Sequence, residues 1–205
     1  MNQVAKTVEI VIHRDIIKRF NIMLQEGVYI DIERSMPLKE FLLDRCGITE
    51  VILSGKIKTI FLNSKPVDDV STVHVGPGDH VSLSGAMPGL AGAVFRQKSL
   101  LSSFRETITH KSDTGGISNI DTPGMVLLKV FNTVMDAVAQ PVFHSGVFVP
   151  VSTCTWIFEV AGDLLKAENV SLKFDGKKIK MKKFLNELMS LDNQLLYLVI
   201  YGNNG

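Results

Sequence analysis

Two cysteines, five histidines, a run of lysines and two glycine-rich stretches are the residues of this chain whose types could carry chemistry. Cys154 sits in VSTCTW, where a strand signal gives way to a helix signal, and a thiol at a helix N-terminus can be activated as a thiolate. No base partner stands at a recognisable spacing, so Cys154 and Cys46 both read as packed thiols of a reducing compartment. His13, His74, His80, His110 and His144 lack the spacing of zinc motifs, and read as surface side chains. The stretch VGPGDHVSLSGAMPGLAG, Val75 to Gly92, would cradle phosphate only with glycines spaced G-x-x-x-x-G-K-[ST] or G-x-G-x-x-G. Gly85, Gly89 and Gly92 fit neither pattern, and the stretch reads as turn, strand and connector. The nucleophile elbow G-x-S-x-G is missing. Lys173, Lys177, Lys178, Lys180, Lys182 and Lys183 could bind an acidic partner or a polyanion; solvated lysines guarding a sheet edge are the preferred reading. These residues together predict a chain that is not an enzyme and holds neither metal nor cofactor.

Any such groups must be positioned by a modest framework. The chain has 205 residues, enough for one large or two small domains. Apolar residues make up 45% and charged residues 21%, a folding composition, and the net charge of +1 argues against broad capture of nucleic acid. No apolar run approaches the length of about 18 residues that a spanning helix needs, and MNQVAKTVEIVIHRD has no signal-peptide core. A soluble, cytoplasmic protein is expected.

Periodicity supplies the elements. TVEIVI (Thr7 to Ile12) reads as a strand, and DIIKRFNIML (Asp15 to Leu24) as a helix. GVYIDIERS restarts a strand on a glycine, with Val28, Ile30 and Ile32 on one face. MPLKEFLLDRCG reads as a helix with Ser35 as N-cap, Pro37 in its first turn and Gly47 past its end. KTIFLNSKPVDD enters a turn at Asn63-Ser64, and Gly76-Pro77-Gly78-Asp79 turns the chain into HVSL. An amphipathic helix is expected over Phe95 to Lys111, and a linker over Ser112 to Gly124. The order then starts again. VLLKVF is a strand, NTVMDAVAQPVF a helix up to its proline, GVFVPVS a strand, and TWIFEVAGDLLK a helix. VSLKFDGKKI is a hairpin on Asp175-Gly176, KMKKFLNELMSL an amphipathic helix, and LLYLVIYG a last strand.

A shift of 119 residues lays Gly27-Val28-Tyr29-Ile30 on Gly146-Val147-Phe148-Val149, Glu40 on Glu159, Asp44 on Asp163, and strand Val8–Ile12 on Leu127–Phe131. After a deletion, Phe61-Leu62-Asn63-Ser64-Lys65 falls on Lys173-Phe174-Asp175-Gly176-Lys177. The period is too long for a solenoid and reads as a duplicated small domain.

IFLNSKPVDD and GPGDHVSLSGAM resemble the "V-N-G-x-x-V" strand and turn and the "G-D-x-V" turn and last strand of the ubiquitin-like β-grasp sulfur carriers, the thiamine-pathway carrier and the small subunit of molybdopterin synthase (ThiS/MoaD). The resemblance is clearest over residues 5–92, with a weaker second copy. It implies an α+β fold of two tandem β-grasp units: 1–92, a connector over 93–124, and 125–205. It also implies that Val81 to Leu83 lies beside Val8 to Ile12. In that family the chemistry belongs to a C-terminal Gly-Gly whose carboxylate is adenylated and then carries sulfur. Here Gly85, Gly89 and Gly92 form the former tail of the first unit, without Gly-Gly, and the second unit ends Gly202-Asn203-Asn204-Gly205, with Asn204 in the place of a glycine. The expected function is therefore a non-enzymatic interaction or adaptor module with a protein partner, no nucleic acid and no membrane, in a setting of sulfur transfer or cofactor assembly. The alternatives are a carrier activated at Gly205, and an enzyme with a site between the domains.

Overall fold

The computed structural model describes residues 5–86, 122–160, 170–191 and 194–203. The expected helix over Phe95 to Lys111, most of the connector, and Gly89, Gly92, Asn204 and Gly205 lie outside the described residues. The architecture is mixed α+β.

Strand β1 (Lys6–His13) alternates, with Val8, Ile10 and Ile12 fully buried. The His13 ring caps α1 (Arg14–Ile17) by accepting the Asp15 N–H at 3.4 Å. A 3₁₀ turn (Lys18–Phe20) and α2 (Asn21–Glu26) continue the helix and bury Phe20, Met23 and Leu24. Gly27, at φ +117°, swings the chain into β2 (Val28–Ile32).

Ser35 is not an N-cap. Proline disfavours the helical region for the residue before it, so Met36 and Pro37 are extended as β3 (Met36–Pro37), and α3 (Leu38–Glu40) starts behind Pro37. A π-helical turn (Phe41–Arg45) and Gly47 at φ +67° end it. The helix α4 (Glu50–Gly55), which the periodicity does not reveal, is capped by Thr49, whose Oγ1 accepts the Ile52 N–H at 3.4 Å.

There follow β4 (Thr59–Leu62), β5 (Lys65–Pro66), β6 (His74–Val75), which pairs with β3, and β7 (His80–Ser84). The Asp79 carboxylate fixes the turn before β7 by accepting the Gly76 N–H at 2.7 Å. After β8 (Gly124–Phe131) and a 3₁₀ turn (Asn132–Val134), α5 (Met135–Ser145) runs through Pro141 instead of stopping there. The proline forfeits one backbone bond, but Val138, Ala139, Val142 and Phe143 are buried on both sides of it and carry the helix past. The remainder is β9 (Val147–Pro150), α6 (Val151–Val160), β10 (Ser171–Phe174), β11 (Lys177–Lys178), α7 (Met181–Met189) and β12 (Leu195–Asn203).

These elements form two compact units that are not consecutive in the chain. One is continuous, Leu24–Val138, and is called the inserted unit below; the other joins Met1–Met23 to Ala139–Gly205 and is called the split unit. In the inserted unit the strand order is β2-β8-β7-β4-β5. Strand β8 is antiparallel to β2 and parallel to β7, with Leu128 opposite Val81, and β4 is antiparallel to β7 and β5. In the split unit the order is β9-β12-β1-β10-β11. There β12 is antiparallel to β9 and parallel to β1, with Leu198 opposite Val8, and β10 is antiparallel to β1 and β11.

Two expectations need correction. Val81 to Leu83 does not lie beside Val8 to Ile12; its parallel neighbour is β8, the corresponding strand of the second half. Val126, Leu128 and Val130 are buried in the same alternation as Val8, Ile10 and Ile12, so the local pattern of either strand suits either slot. The shift of 119 holds for Gly146, which like Gly27 has positive φ, but not for the strand before it. Laying Val8 on Leu127 would set a buried face on a half-buried one, since a slip of one residue exchanges the two faces. The hairpin alignment holds in geometry: Asn63 and Ser64 have φ of 50° and 66°, and Asp175 and Gly176 have 47° and 75°.

Candidate functional site

Helices α6 and α7 of the split unit combine a buried face with an exposed apolar one. Val151, Cys154, Ile157 and Phe158 recur at helical spacing and turn α6 inward. Phe158 packs edge-on against Phe20 at 5.8 Å and Phe184 of α7 at 5.0 Å, and Phe184 also meets Phe174 at 5.8 Å. This aromatic chain fixes both helices against their strands. The opposite face of α6 then presents Ser152, Trp156, Glu159 and Val160. On α7, Phe184 and Leu188 are buried, while Lys182, Leu185 and Met189 follow one another at i, i+3 and i+7 along another face.

Between the two helices lies a groove of about 420 Å³, lined by Ser152, Thr155, Trp156, Glu159, Leu188 and Met189 among others. Trp156, the one tryptophan of the chain, is 51% exposed, Met189 63% and Val160 71%. The Thr155 hydroxyl donates to the Val151 carbonyl at 2.9 Å and is thereby spoken for.

The lysine run lies on β11 and at the start of α7, outside the lining of the groove. Lys177 and Lys178 form the short edge strand β11, Lys180 precedes α7, and Lys182 and Lys183 stand in its first turn; all are exposed. Elsewhere in the split unit lysines are paired: Lys6 with Asp175 at 2.7 Å and Lys173 with Glu9 at 2.8 Å. The hydrogen bond that Lys173 donates to Glu9, then the charge of Glu9, push the Lys173 ammonium pKa up. Among the described residues, no carboxylate pairs with Lys178, Lys180, Lys182 or Lys183.

Two hollows belong to the inserted unit. One, of about 520 Å³, is lined by Glu33, Arg34, Glu40, Arg45 and His74. Arg45 is held by Asp31, donating to its carbonyl from Nη2 at 2.8 Å and Nε at 3.1 Å and meeting its carboxylate at 2.8 Å. Charges of both signs alternate there. The other, of about 470 Å³, lies beside Phe61, Ser82, Ser84, Phe131 and Asn132, with Asn132 Nδ2 donating to Ser84 Oγ at 2.9 Å.

The residues singled out from sequence are not brought together. Gly202 and Asn203 are strand residues of β12, opposite Ile12 and His13. A Cβ on Gly202 would meet Ile17 Cδ1 at 2.8 Å and Arg14 Cγ at 3.1 Å, so this glycine lets α1 pack on the strand. The Asn203 Oδ1 atom is buried without a hydrogen-bond partner among the described residues. Gly85 is buried just past β7, where a Cβ would meet Thr133 Oγ1 at 2.8 Å. Both thiols are buried. Burial pushes the Cys154 pKa up to about 12, and pushes the Cys46 thiol up against a smaller downward pull from Arg45. His74, His80 and His144 are exposed, with the His144 ring edge-on to Tyr201 at 5.1 Å, and His110 lies outside the described residues.

Among the described residues no three His, Cys, Asp or Glu side chains gather where they could hold a metal ion, and no helix is long and apolar enough to cross a membrane. Trp156 and Met189 are the surface residues that motif reading passes over; placing α6 and α7 on helical wheels separates both from the buried faces.

No family model, curated protein or solved structure matches the chain.

Proposed function

We propose that the chain is a non-enzymatic protein-interaction module, built on two β-grasp-like units akin to the sulfur carriers, and that it meets its partner through the α6–α7 groove. The observation that carries the reading is Trp156, half exposed beside Met189 and Val160. Large apolar side chains grouped at a concave surface mark places where another molecule completes the burial, and tryptophan is among the residues that most often dominate such contacts. Each unit has one parallel strand pair inside an otherwise antiparallel sheet, β7 with β8 and β12 with β1, although in the inserted unit the strand beside β7 comes from the second half of the sequence. With pKa values driven up by burial, the thiols stay protonated at neutral pH, which removes them as nucleophiles.

The test is site-specific photocrosslinking in cells, with the crosslinker at position 156 and, as control, at Val51, which is 78% exposed in the inserted unit. A protein captured at 156 and not at 51 is expected. Its affinity for the purified chain should fall at least ~10-fold on Trp156→Ala with an unchanged melting temperature. Equal capture at both positions, or unchanged affinity of Trp156→Ala, would overturn the reading.

A further inference from the structure

The hollow of about 470 Å³ in the inserted unit has a polar floor where the rest of that unit is aliphatic. Independently of the α6–α7 groove, we propose that it binds a small, planar, uncharged lactam or carboxamide, held by Ser82, Ser84 and Asn132 against the ring of Phe131.

Strand register builds the hollow. Ser82 and Ser84 share one face of β7, ~7 Å apart, and form its floor. Phe61 of β4 stands opposite Ser82 and Phe131 of β8 opposite Ser84, so an aromatic residue flanks the floor on either side. On their other face the same strands carry buried aliphatic side chains, Ile60, Leu83 and Val130 among them.

Ser84 lines the hollow although it is only 5% exposed. A hydroxyl so buried needs partners both for its lone pairs and for its proton. Its Oγ accepts from Asn132 Nδ2 at 2.9 Å, and among the described residues nothing accepts its proton. Thr59, opposite Ser84 on β4, is buried as well, with an Oγ1 that has no partner. Among the described residues these two are the buried polar side chains, and they stand side by side in the sheet. Asn132 is held at φ +61°, which glycine adopts at lower cost; asparagine there keeps its amide on Ser84. No charged side chain lines the hollow, so a bound ion would lose hydration without gaining a counter-charge. The Ser84 proton calls for an acceptor such as a carbonyl, and Asn132 Oδ1 offers itself to an N–H. A lactam or carboxamide presents both groups at one edge of a flat ring, whose face packs on Phe131.

The experiment uses the full chain labelled with nitrogen-15. Its amide spectrum is followed during titration with 2-pyridone and with nicotinamide, and with nicotinate and toluene in parallel. The two uncharged amides should shift the Ser82, Ser84 and Asn132 signals saturably, and bind at least ~10-fold more tightly than nicotinate or toluene. Asn132→Gly keeps the backbone angle without cost, so it should melt no lower than the parent chain yet bind at least ~10-fold more weakly. Ser84→Ala should weaken binding by a similar factor. The absence of a saturable shift at these amides with either probe would overturn the proposal, as would equal affinity for toluene. Tighter binding of nicotinate would overturn the uncharged ligand, and undiminished binding to Asn132→Gly would overturn the assigned contacts. Each of these outcomes leaves the reading of Trp156 as it stands.

Discussion

The inserted and split units share a pattern of strand directions but seat first and last strands in opposite slots. In the inserted unit the first-type strand β8 stands beside β2 and the last strand β7 beside β4. In the split unit the last strand β12 stands beside β9 and the first strand β1 beside β10. Central strands buried on one face with plain aliphatic alternation are interchangeable, and the flanking hairpin settles only direction. The cores differ more. The split unit links Phe143, Phe20, Phe158, Phe184 and Phe174 edge to face at 5.0 to 6.4 Å. Among the described residues Phe41 is the one fully buried phenylalanine of the inserted unit, and Val, Ile and Leu with Cys46 make up most of the rest. The aromatic core leaves less room to adjust and anchors α6 and α7 firmly enough for their outer faces to carry apolar side chains in water.

The two restart glycines test this difference most severely. Gly27→Ala and Gly146→Ala each force a side chain into left-handed φ, at ~1–2 kcal/mol. At Gly27 the new Cβ would meet Leu127 Cδ1 at 2.7 Å, the free end of a flexible side chain. At Gly146 it would run into the Tyr197 ring, whose hydroxyl donates to the Ser145 carbonyl at 3.3 Å. Gly146→Ala should therefore cost ~1–3 kcal/mol more than Gly27→Ala in urea unfolding; equal losses would refute the claim that the split unit is the tighter one.

The hairpin turns give a smaller contrast of opposite sign. Ser64 sits at φ +66° where its counterpart is Gly176 at +75°. Ser64→Gly should raise stability by ~0.5–1 kcal/mol, and Gly176→Ser should lower it by about as much. A neutral result at both would mean that the turns are not equivalent.

The smallest effect is one of pH. Partial burial alone would raise the Asp175 pKa, but hydrogen bonds from Lys6 and the Thr7 N–H, with the charges of Lys6 and Lys177, outweigh it and hold the value down. A carboxyl depressed in the folded state stabilises fully above its unfolded pKa of ~3.9, and that contribution is lost as pH falls through the folded value. Amide exchange at Gly176 and Lys177 should accordingly quicken, relative to unstructured amides, as pH drops below about 4, and Asp175→Asn should flatten the response. The contribution is small because the carboxylate is 38% exposed.

What could be read from sequence was local. The Asn63-Ser64 and Asp175-Gly176 turns, the restart glycines and the alternating strands follow from the chemistry of a few neighbouring residues. Helix α4 was hidden because Val51 faces solvent and blurs its apolar stripe. Ser35 looked like a cap because the extended preference before Pro37 competes with capping. Gly202 shows the harder limit: a glycine needed for close helix packing and a glycine of a mobile tail are the same letter. The seating of β1 and β8 was illegible, since it is decided between strands more than a hundred residues apart with equal local patterns. Trp156 was within reach, because three neighbouring turns of α6 suffice to place it outside.

The division of the chain also sets a timetable for its synthesis. Strand β1 leaves the ribosome before the inserted unit, yet its neighbours are Leu196 to Asn203 and Ser171 to Phe174, which are made after that unit. The inserted unit is continuous and can close as soon as β8 emerges, while TVEIVI waits with both edges unpaired. Closing so long a loop is slow, and an alternating β-branched segment left open is a site where nascent chains associate. Chaperone contact with residues 6–13 until β12 has emerged, and aggregation of chains truncated before β12, are the cellular signatures of this topology.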